Sequence, residues 1–519
     1  MDARIMLVLH SHIPYVKRQG RWPFGEVWLF EAMAETYIPL LRSFLRLYEE
    51  GVRAPVTISM SPTLMEQLHS KYIKNEFINY LKACEVRALE DERYFISCGE
   101  KKLAETAAIY HRFYKDVRRD FVIDFNSDLL SLVKEMQNKG CIEVLATAAT
   151  HAYLPVLDEK SADWQIFYGQ KIYKKFLGVE PRGFWLPECG YRRGLEDILL
   201  KYGFKYFFVD SHAIEGGKPL GVFSGDMLEE EPEIETFAIT GLSTYRPYKL
   251  KDKDITVLGR NALVSRQVWS AEFGYPGDEN YREFHKHFPK SGLKYWRVTD
   301  RSKPLDKKEY YDAHKAEKKA KEHAHHFVSV LQRTISEAQK IGFNRPLIIG
   351  CYDTELFGHW WWEGVTWLEE VMREIARHNL TMVLPCHIEA PRYEAEIFDS
   401  SWGMGGKHYV WQNKETEWMW QIIAKANQEY EEIINITTRS ELGERVKKQA
   451  LKELMLIQSS DWFFMVTNNL TKDYALKRFF EHYTKFLRIA DAVKNNKVDA
   501  GFAEWFAKVE YEDDLFNSF

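Results

Sequence analysis

The chain has 519 residues, with 71 basic and 76 acidic side chains and a formal net charge of −5 at pH 7. This balance argues against a nucleic-acid-binding protein whose affinity depends on neutralising phosphates. A hydrophobic content of 45% and a charged content of 28% exclude the disordered and low-complexity classes and are typical of a globular protein.

Short apolar runs followed by polar clusters predict buried strands at residues 5–9, 56–60, 142–146, 183–186, 206–209, 347–350 and 380–384. Helical patterns lie between many of them, for example at 30–49, 129–138 and 194–202. Buried strands alternating with helices indicate a parallel sheet covered by helices. The number of strands favours a closed or nearly closed barrel.

Ionisable residues follow the predicted strands, at what would be one rim of the barrel. They are His10, His12, His151, Glu188, Asp210, His212, Asp353, Glu355, His387 and Glu389. The rim at the carboxyl ends of parallel barrel strands is where catalytic groups lie. The sequence therefore predicts an active site there.

Two further regions stand apart from the strand and helix pattern. Residues 214–254 contain the acidic run Glu229, Glu230 and Glu231 and predict a long surface excursion, of the kind that often forms a lid. From about residue 414 onward the pattern is helical throughout. We therefore predict a catalytic domain over 1–400, with an insertion at 214–254, and a helical domain over 401–519 that contributes to the cleft.

The cysteines and the N-terminus bear on location. Six cysteines are scattered without a CxxC pair, which suggests neither a disulfide framework nor a cysteine-rich zinc site. We find no cleavable leader and no apolar run of about 20 residues. These features predict a cytoplasmic protein that does not act at a membrane.

His10 and His12 are two apart on a predicted strand, so they face the same side and form a possible metal pair. With Asp210 they would suit a metal-dependent polysaccharide deacetylase. The alternative is that both histidines hydrogen-bond substrate or neighbouring groups. No third ligand with zinc-like spacing accompanies them in the sequence, which favours a site without metal.

Glu188 and Asp353 each end a predicted strand among aromatic residues. Apolar neighbours raise the pKa of a carboxyl group, and a raised pKa suits a general acid. Paired carboxyl groups in unequal environments, together with aromatic rings, are typical of a glycosidase site. Glycines beside Trp402 predict a loop near the ligand.

Five segments of the chain, in order, resemble the five sequence regions of glycoside hydrolase family 57. They lie at residues 10–15, 149–155, 185–191, 352–360 and 401–403, and supporting stretches lie at 28–32, 267–270, 274–278 and 459–462. Within the family the chain most resembles enzymes that branch 1,4-α-glucans and their α-amylase-like relatives.

The resemblance implies an α/β fold, a distorted TIM-like (β/α)7 barrel with an inserted segment and an all-α C-terminal domain. It implies a retaining mechanism with no cofactor or metal, in which Glu188 is the nucleophile and Asp353 the general acid/base. Substrate contacts are then expected from His10, His12, Trp28, His151, Asp210, Tyr245, Trp269, Trp360, Trp402 and Trp411.

The expected activity is cleavage of an α-1,4 bond and transfer of the chain to a 6-hydroxyl, with α-glucan as the partner. The alternatives are an α-amylase or 4-α-glucanotransferase of the same family, a metal-dependent deacetylase, and a catalytically silent glucan-binding protein. Enzymes of the branching type carry a loop tyrosine where this chain has Leu242. Tyr245 is therefore expected to take its place, in an insertion that limits access of water.

Overall fold

The computed structural model describes residues 3–21, 24–219, 236–270, 274–437 and 441–517. Its centre is a barrel of parallel strands, which we number in chain order. They are β1 (Arg4–Ser11), β2 (Val56–Met60), β3 (Ile142–Leu145), β4 (Gly183–Phe184), β5 (Tyr206–Val209), β6 (Thr256–Gly259) and β7 (Leu347–Asp353). In β1 every residue after Arg4 is buried, as expected for a strand covered on both faces.

The barrel closes in chain order. β1 pairs in parallel with β2 and β7, β2 with β3, β4 with β5, and β5 with β6. These pairings give one set of strands, β3, β2, β1 and β7, and a second set, β4, β5 and β6. The two sets are joined at both sides, where Trp185 N donates to Ala146 O at 2.7 Å and where Asn261 N donates to Ile349 O at 2.7 Å. The predicted barrel is therefore confirmed.

One predicted barrel strand was wrong. The stretch predicted at 380–384 contains only the short strand Thr381–Met382, which pairs with the first two residues of β1. The barrel instead contains β6, which completes the set of seven strands. This strand was not predicted from the sequence because it is only four residues long and follows a charged turn at 251–254.

Helices cover the barrel and fill its connections. They are Glu26–Ala32, Ile38–Glu49, Pro62–His69, Lys71–Ser97, Lys101–Arg119, Leu129–Asn138, Glu159–Leu177, Leu195–Lys201, Ser211–Glu215, Ala262–Trp269, Ala313–Lys340 and Gly364–Arg377. A π-helical turn, Met33–Tyr37, joins the first two. Two further short strands are Tyr248–Leu250 and Glu394–Ala395.

The C-terminal region is helical, as predicted. Its helices are Glu417–Ile434, Glu441–Ile457, Ser460–Thr467, Lys472–Lys494 and Ala500–Glu512. Among the described residues, no helix is long and apolar enough to cross a membrane.

The insertion predicted at 214–254 is described only at its ends. Residues 220–235, which include its acidic run, lie outside the described residues. Gly217 and Phe237 exchange two backbone hydrogen bonds of 3.0 Å, which hold the two ends of the excursion together.

Candidate active site

The strand register brings the rim residues together. His10 of β1 is level with Asp353 of β7 on one side and with Ser59 of β2 on the other. Glu188 lies in the turn Pro187–Cys189, which directly follows β4 and Trp185. Residues far apart in sequence thus meet at the carboxyl end of the barrel, as the sequence predicts.

The backbone at Glu188 is in the left-handed region, with φ of 61°, and Cys189 follows with φ of 50°. Such conformations cost a residue other than glycine on the order of 1–3 kcal/mol and persist only where the surroundings impose them. Here Trp402 N donates to the carbonyl of Glu188 at 3.0 Å. A Cβ at Gly190 would lie 2.6 Å from the Tyr153 ring, so only glycine fits beside the turn.

Two side chains from the C-terminal part of the chain hold the Glu188 carboxylate. Trp402 Nε1 donates to Oε2 at 2.7 Å, and Ser460 Oγ donates to Oε1 at 3.0 Å. Burial raises the pKa of Glu188 to about 7, and these two hydrogen bonds oppose the rise because they stabilise the charged form. The carboxylate is thereby fixed in orientation and kept ionisable near neutral pH.

Burial also raises the pKa of Asp353, the last residue of β7, well above the ordinary value, and the neighbouring carboxyl groups of Glu355 and Glu188 add to the rise. The charge of Arg260 acts the other way. Since Glu188 carries two hydrogen bonds that favour its charge, Asp353 holds the proton when one of the pair is ionised.

A chain of hydrogen bonds runs from β2 to Glu188. Ser59 Oγ is 3.2 Å from His10 Nδ1, His10 Nε2 is 2.8 Å from His151 Nε2, and His151 Nδ1 is 2.8 Å from Ser460 Oγ. Since Ser460 donates to the Glu188 carboxylate, it accepts from His151 Nδ1. We therefore assign Ser59 as donor to His10, and His10 as donor to His151.

The pKa values of His10 and His151 fit this assignment. Burial, followed by the charges of neighbouring histidines, lowers both well below the ordinary value, so both rings are neutral. The ring of Trp185 stacks on His10 with centroids 5.2 Å apart. The histidines therefore orient the Glu188 side of the site without carrying charge.

His12 belongs to a separate arrangement. Its Nδ1 is 2.7 Å from Ser61 Oγ and its Nε2 is 2.9 Å from Asp461 Oδ2. Although burial acts in the other direction, the interactions with His12 lower the pKa of Asp461 to about 2. Asp461 is thus ionised, and His12 donates to it through Nε2.

The pair His10 and His12 is not the group of possible metal ligands that the structure brings together. That group is His12, His151 and Asp461, whose ligand atoms lie within 4.8 Å of one another, and spacing in the sequence did not indicate it. Each ring nitrogen of the two histidines, however, already donates or accepts a hydrogen bond. A metal would have to replace several of these bonds.

The tryptophans predicted as sugar platforms divide into two groups. Trp402 lies edge-on to Trp185 at 5.3 Å and to Trp269 at 6.4 Å, and these rings surround Glu188. Trp28 is half-buried, one helical turn before Glu31. Trp411, by contrast, is 1% exposed, so it cannot offer a face to a ligand.

Trp411 stacks on Tyr153 at 4.2 Å, and a Cβ on Gly403 would lie 2.7 Å from its ring. It therefore supports the loop of Trp402 from behind, which corrects the prediction of substrate contact. Trp360 is 47% exposed and packs on Phe284 at 4.6 Å.

Two other predicted contacts are also corrected. Asp210 is fully buried and accepts from Arg260 Nε at 3.0 Å and Nη2 at 2.8 Å, so it cannot reach a ligand. Tyr245 packs on Phe343 at 5.5 Å, and its carbonyl accepts from the first residue of β7, Leu347, at 2.9 Å. Leu347 and Asp353 are at opposite ends of β7, so the backbone at Tyr245 lies away from the rim.

Arg260, Ser460 and Asp461 were not predicted as site residues, whereas Glu355 was among the ionisable residues predicted at the rim. Glu355 Oε1 accepts from His12 N at 3.0 Å and from the hydroxyl of Tyr37, and burial raises its pKa to about 7. Ser460 and Asp461 lie in one of the stretches that carry the family resemblance, which was the available signal. No pattern pointed to Arg260.

Two carboxyl groups of raised pKa lie among aromatic rings at the rim of a (β/α)7 barrel, and one of them is held by hydrogen bonds from Trp402 and Ser460. This arrangement is typical of carbohydrate-cleaving enzymes. The chain belongs to glycoside hydrolase family 57, whose sequence model matches residues 6–398. Residues 422–519 match the model of the C-terminal region of 1,4-alpha-glucan branching enzymes. The predicted family is confirmed.

Relatives agree with this assignment. A 1,4-alpha-glucan branching enzyme from Thermococcus kodakarensis is 38% identical over 99% of this chain and 78% of its own length. The branching enzyme structure from Pyrococcus horikoshii is 38% identical, with a TM-score of 0.90, covering 100% of this chain and 96% of that one. An alpha-amylase from Thermotoga maritima is 30% identical, with a TM-score of 0.83, covering 100% and 98%.

The buried ion pair gives a first prediction. Asp210→Ala leaves Arg260 charged and unpaired in the barrel wall, and breaking such a pair costs about 3–5 kcal/mol of unfolding free energy. Chemical denaturation measures the loss. Asp254→Ala is the control, since its side chain is 87% exposed, and it should change stability little. Full stability of Asp210→Ala with lost activity would instead indicate a role in substrate binding.

The histidine network gives a second prediction. Protein purified without added metal should contain far less than one equivalent of zinc, because the nitrogens of His12 and His151 are committed to hydrogen bonds. Elemental analysis before and after chelation tests this. Stoichiometric zinc that is lost together with activity on chelation, and absent from Asp461→Ala, would favour the metal-dependent alternative.

Proposed function

We propose that the protein is a retaining 1,4-α-glucan branching enzyme, with Glu188 as nucleophile and Asp353 as general acid/base. The observation that carries the proposal is the contrast between the two carboxyl groups: Glu188 is held by Trp402 and Ser460, whereas Asp353 is partly buried beside the carboxyl groups of Glu355 and Glu188. A retaining mechanism requires one ionised and one protonated carboxyl group.

In the first step an oxygen of Glu188 attacks the anomeric carbon of an α-1,4-linked glucan. The bond to the glycosidic oxygen breaks, and that oxygen takes the proton of Asp353. One part of the chain leaves with a new 4-hydroxyl, and the other is bound covalently to Glu188.

In the second step Asp353, now ionised, takes the proton of an acceptor 6-hydroxyl. The acceptor oxygen attacks the anomeric carbon and the ester bond to Glu188 breaks, which restores both carboxyl groups. Water in place of the 6-hydroxyl would give hydrolysis. The branching and α-amylase alternatives therefore share the first step and differ in which nucleophile enters.

The similarity to relatives favours transfer. The C-terminal match is to branching enzymes, and identity to the Pyrococcus horikoshii branching enzyme is 38%, against 30% to the Thermotoga maritima alpha-amylase. We propose sugar contacts for Trp28, Trp269, Trp360 and Trp402, and positioning roles for His10, His12 and His151.

Two further proposals concern organisation and location. A division of the chain near residue 400 is supported by the two separate family matches, over 6–398 and 422–519. A cytoplasmic location is supported by the cysteines, all six of which are free thiols.

Incubation with amylose tests the proposed activity. New α-1,6 linkages, measured by NMR, should outnumber new reducing ends, because transfer outcompetes hydrolysis. Glu188→Gln should lower total cleavage by about a thousandfold or more, since the nucleophile is lost. Glu180→Gln is the control, because Glu180 is exposed.

The outcomes separate the alternatives. New reducing ends without α-1,6 linkages would indicate an α-amylase, and redistribution of α-1,4 chains alone would indicate a 4-α-glucanotransferase. Binding of amylose with no bond cleavage in the wild-type protein would indicate a silent glucan-binding protein.

The hydrogen bond from Trp402 gives a prediction of pH dependence. Trp402→Phe removes a donor that stabilises the charged form of Glu188, so the pKa of Glu188 rises. Since the nucleophile must be ionised, the acid limb of the kcat/KM profile should move to higher pH. Initial rates of amylose cleavage across pH measure the shift.

Trp418→Phe is the matched control, because its Nε1 donates to the carbonyl of Glu415 on the surface. It should leave the acid limb in place. An acid limb that stays fixed, or moves to lower pH, in Trp402→Phe would contradict the assigned role of Glu188.

A further inference from the structure

A cavity of about 270 Å³ lies outside the catalytic pair. It is bounded by the helix Glu26–Ala32, the helices Lys71–Ser97 and Lys101–Arg119, and the segment 282–294. Its volume equals roughly nine water molecules and falls just below the range of about 300–1,000 Å³ of small-molecule pockets. The space suits one small polar group or a chain end rather than a long polymer segment.

Lys294 is the unusual member of the cavity lining. It is 5% exposed, and its ammonium lies over the Phe284 ring at 3.9 Å. No hydrogen bond or ion pair joins its ammonium to a residue that the structure describes, although its backbone carbonyl accepts from the hydroxyl of Tyr110. Burial, and then the charge of Arg282, lower the pKa of Lys294 to about 8. A buried cation with unused donors is costly unless something pairs with it.

Glu31 lines the cavity with Lys294. Its Oε2 lies 3.6 Å from Nδ1 of His359, an atom that is buried without a hydrogen-bond partner among the described residues. Burial and the nearby Glu35 raise the pKa of Glu31. The cavity thus offers one donor group, on Lys294, and one carboxyl group, on Glu31.

The other charges of the lining are already paired or satisfied. Arg282 Nη2 donates to Glu35 at 2.8 Å. Arg87 donates to the carbonyl of Ser291 at 3.0 Å and to Cys84 Sγ at 3.1 Å. Lys294 and Glu31 are therefore the charged groups left to meet a ligand.

This pair selects the chemistry of the ligand. A phosphate or carboxylate would accept from Lys294 but be repelled by the Glu31 carboxyl when that is ionised. A hydroxyl group can accept from the ammonium and donate to the carboxyl. The combination fits a neutral polyhydroxyl compound, such as a glucosyl unit.

The segment that follows Asp353 lies beside the cavity. Nδ1 of His359 in this segment is 3.6 Å from Oε2 of Glu31, which lines the cavity, and the backbone N of His359 donates to Thr36 Oγ1 at 3.1 Å. Asp353 is the group that protonates the leaving chain and deprotonates the incoming hydroxyl. The segment that follows Asp353 is therefore expected on the side of the site where the acceptor binds.

We propose that this cavity binds a glucosyl unit of the acceptor glucan, with Lys294 and Glu31 as its hydrogen-bonding groups. The inference rests on the proposed function, because it names the acceptor subsite of that reaction. It assigns acceptor binding to a cavity whose lining includes neither Glu188 nor Trp185, Trp269 or Trp402.

The test compares wild type with Lys294→Met, which keeps an unbranched side chain one atom shorter and removes the ammonium. Amylose is the donor, and a maltooligosaccharide labelled at its reducing end is added as acceptor. The acceptor concentration that gives half-maximal transfer should rise about tenfold, the effect of losing one hydrogen bond from a charged donor. Total cleavage at saturating acceptor should stay within about twofold.

Glu31→Gln should shift the half-maximal concentration in the same direction and provides a second variant if Lys294→Met does not fold. Lys290→Met is the matched control, since Lys290 is an exposed cation on the same segment that lies over the Tyr94 ring at 3.4 Å. It should behave as wild type.

Unchanged half-maximal concentrations in both folded variants would overturn the inference, as would a parallel loss of total cleavage and melting temperature, which indicates a structural role. A wild-type protein that forms no α-1,6 linkages would instead overturn the proposed function. The two failures are therefore distinguishable.

Discussion

The active site depends on the contact between Glu188 and the C-terminal part of the chain. Trp402 donates to this residue twice, once from the backbone and once from the indole, and Ser460 holds the second carboxylate oxygen. These bonds stabilise a backbone conformation that glutamate rarely adopts. They also favour the charged form of the carboxylate, against the effect of burial. Both side chains that hold the Glu188 carboxylate therefore come from the C-terminal part of the chain, whereas Asp353 and His10 lie on barrel strands.

Much of this arrangement could be predicted from the sequence. Buried strands followed by ionisable residues define a barrel rim, and parallel strands in register bring His10 and Asp353 side by side. Glu188, Asp353 and Trp402 could be identified because each lies in one of the five segments that resemble the family. Such motifs occur where the chemistry allows few residue types. The patterns of long, periodic elements were sufficient for six of the seven barrel strands and for the helical nature of the C-terminal region.

The remaining features depend on contacts between distant segments, which no local pattern records. Asp210 was predicted as a carboxylate at the rim. Arg260, fifty residues later in the chain, donates to both of its oxygens and pairs with it inside the barrel wall. Trp411 looked like a sugar platform, but Tyr153 and Gly403 enclose it. Asp461 completes a group with His12 and His151 from more than 300 residues away. Strand β6 was missed because four residues are too short for periodicity to distinguish.

The central claim is that Glu188 forms the covalent bond to the glucan, and trapping the intermediate tests it most directly. A fluorinated α-glucosyl fluoride slows breakdown of a glycosyl-enzyme, so that peptide mass spectrometry can locate the attached sugar. If Glu188 is the nucleophile, one hexosyl unit is expected on Glu188, in the peptide that also contains Cys189. The corresponding peptide of Glu188→Gln should carry no sugar. A sugar attached to Asp353, or products of inverted anomeric configuration with no adduct, would contradict it.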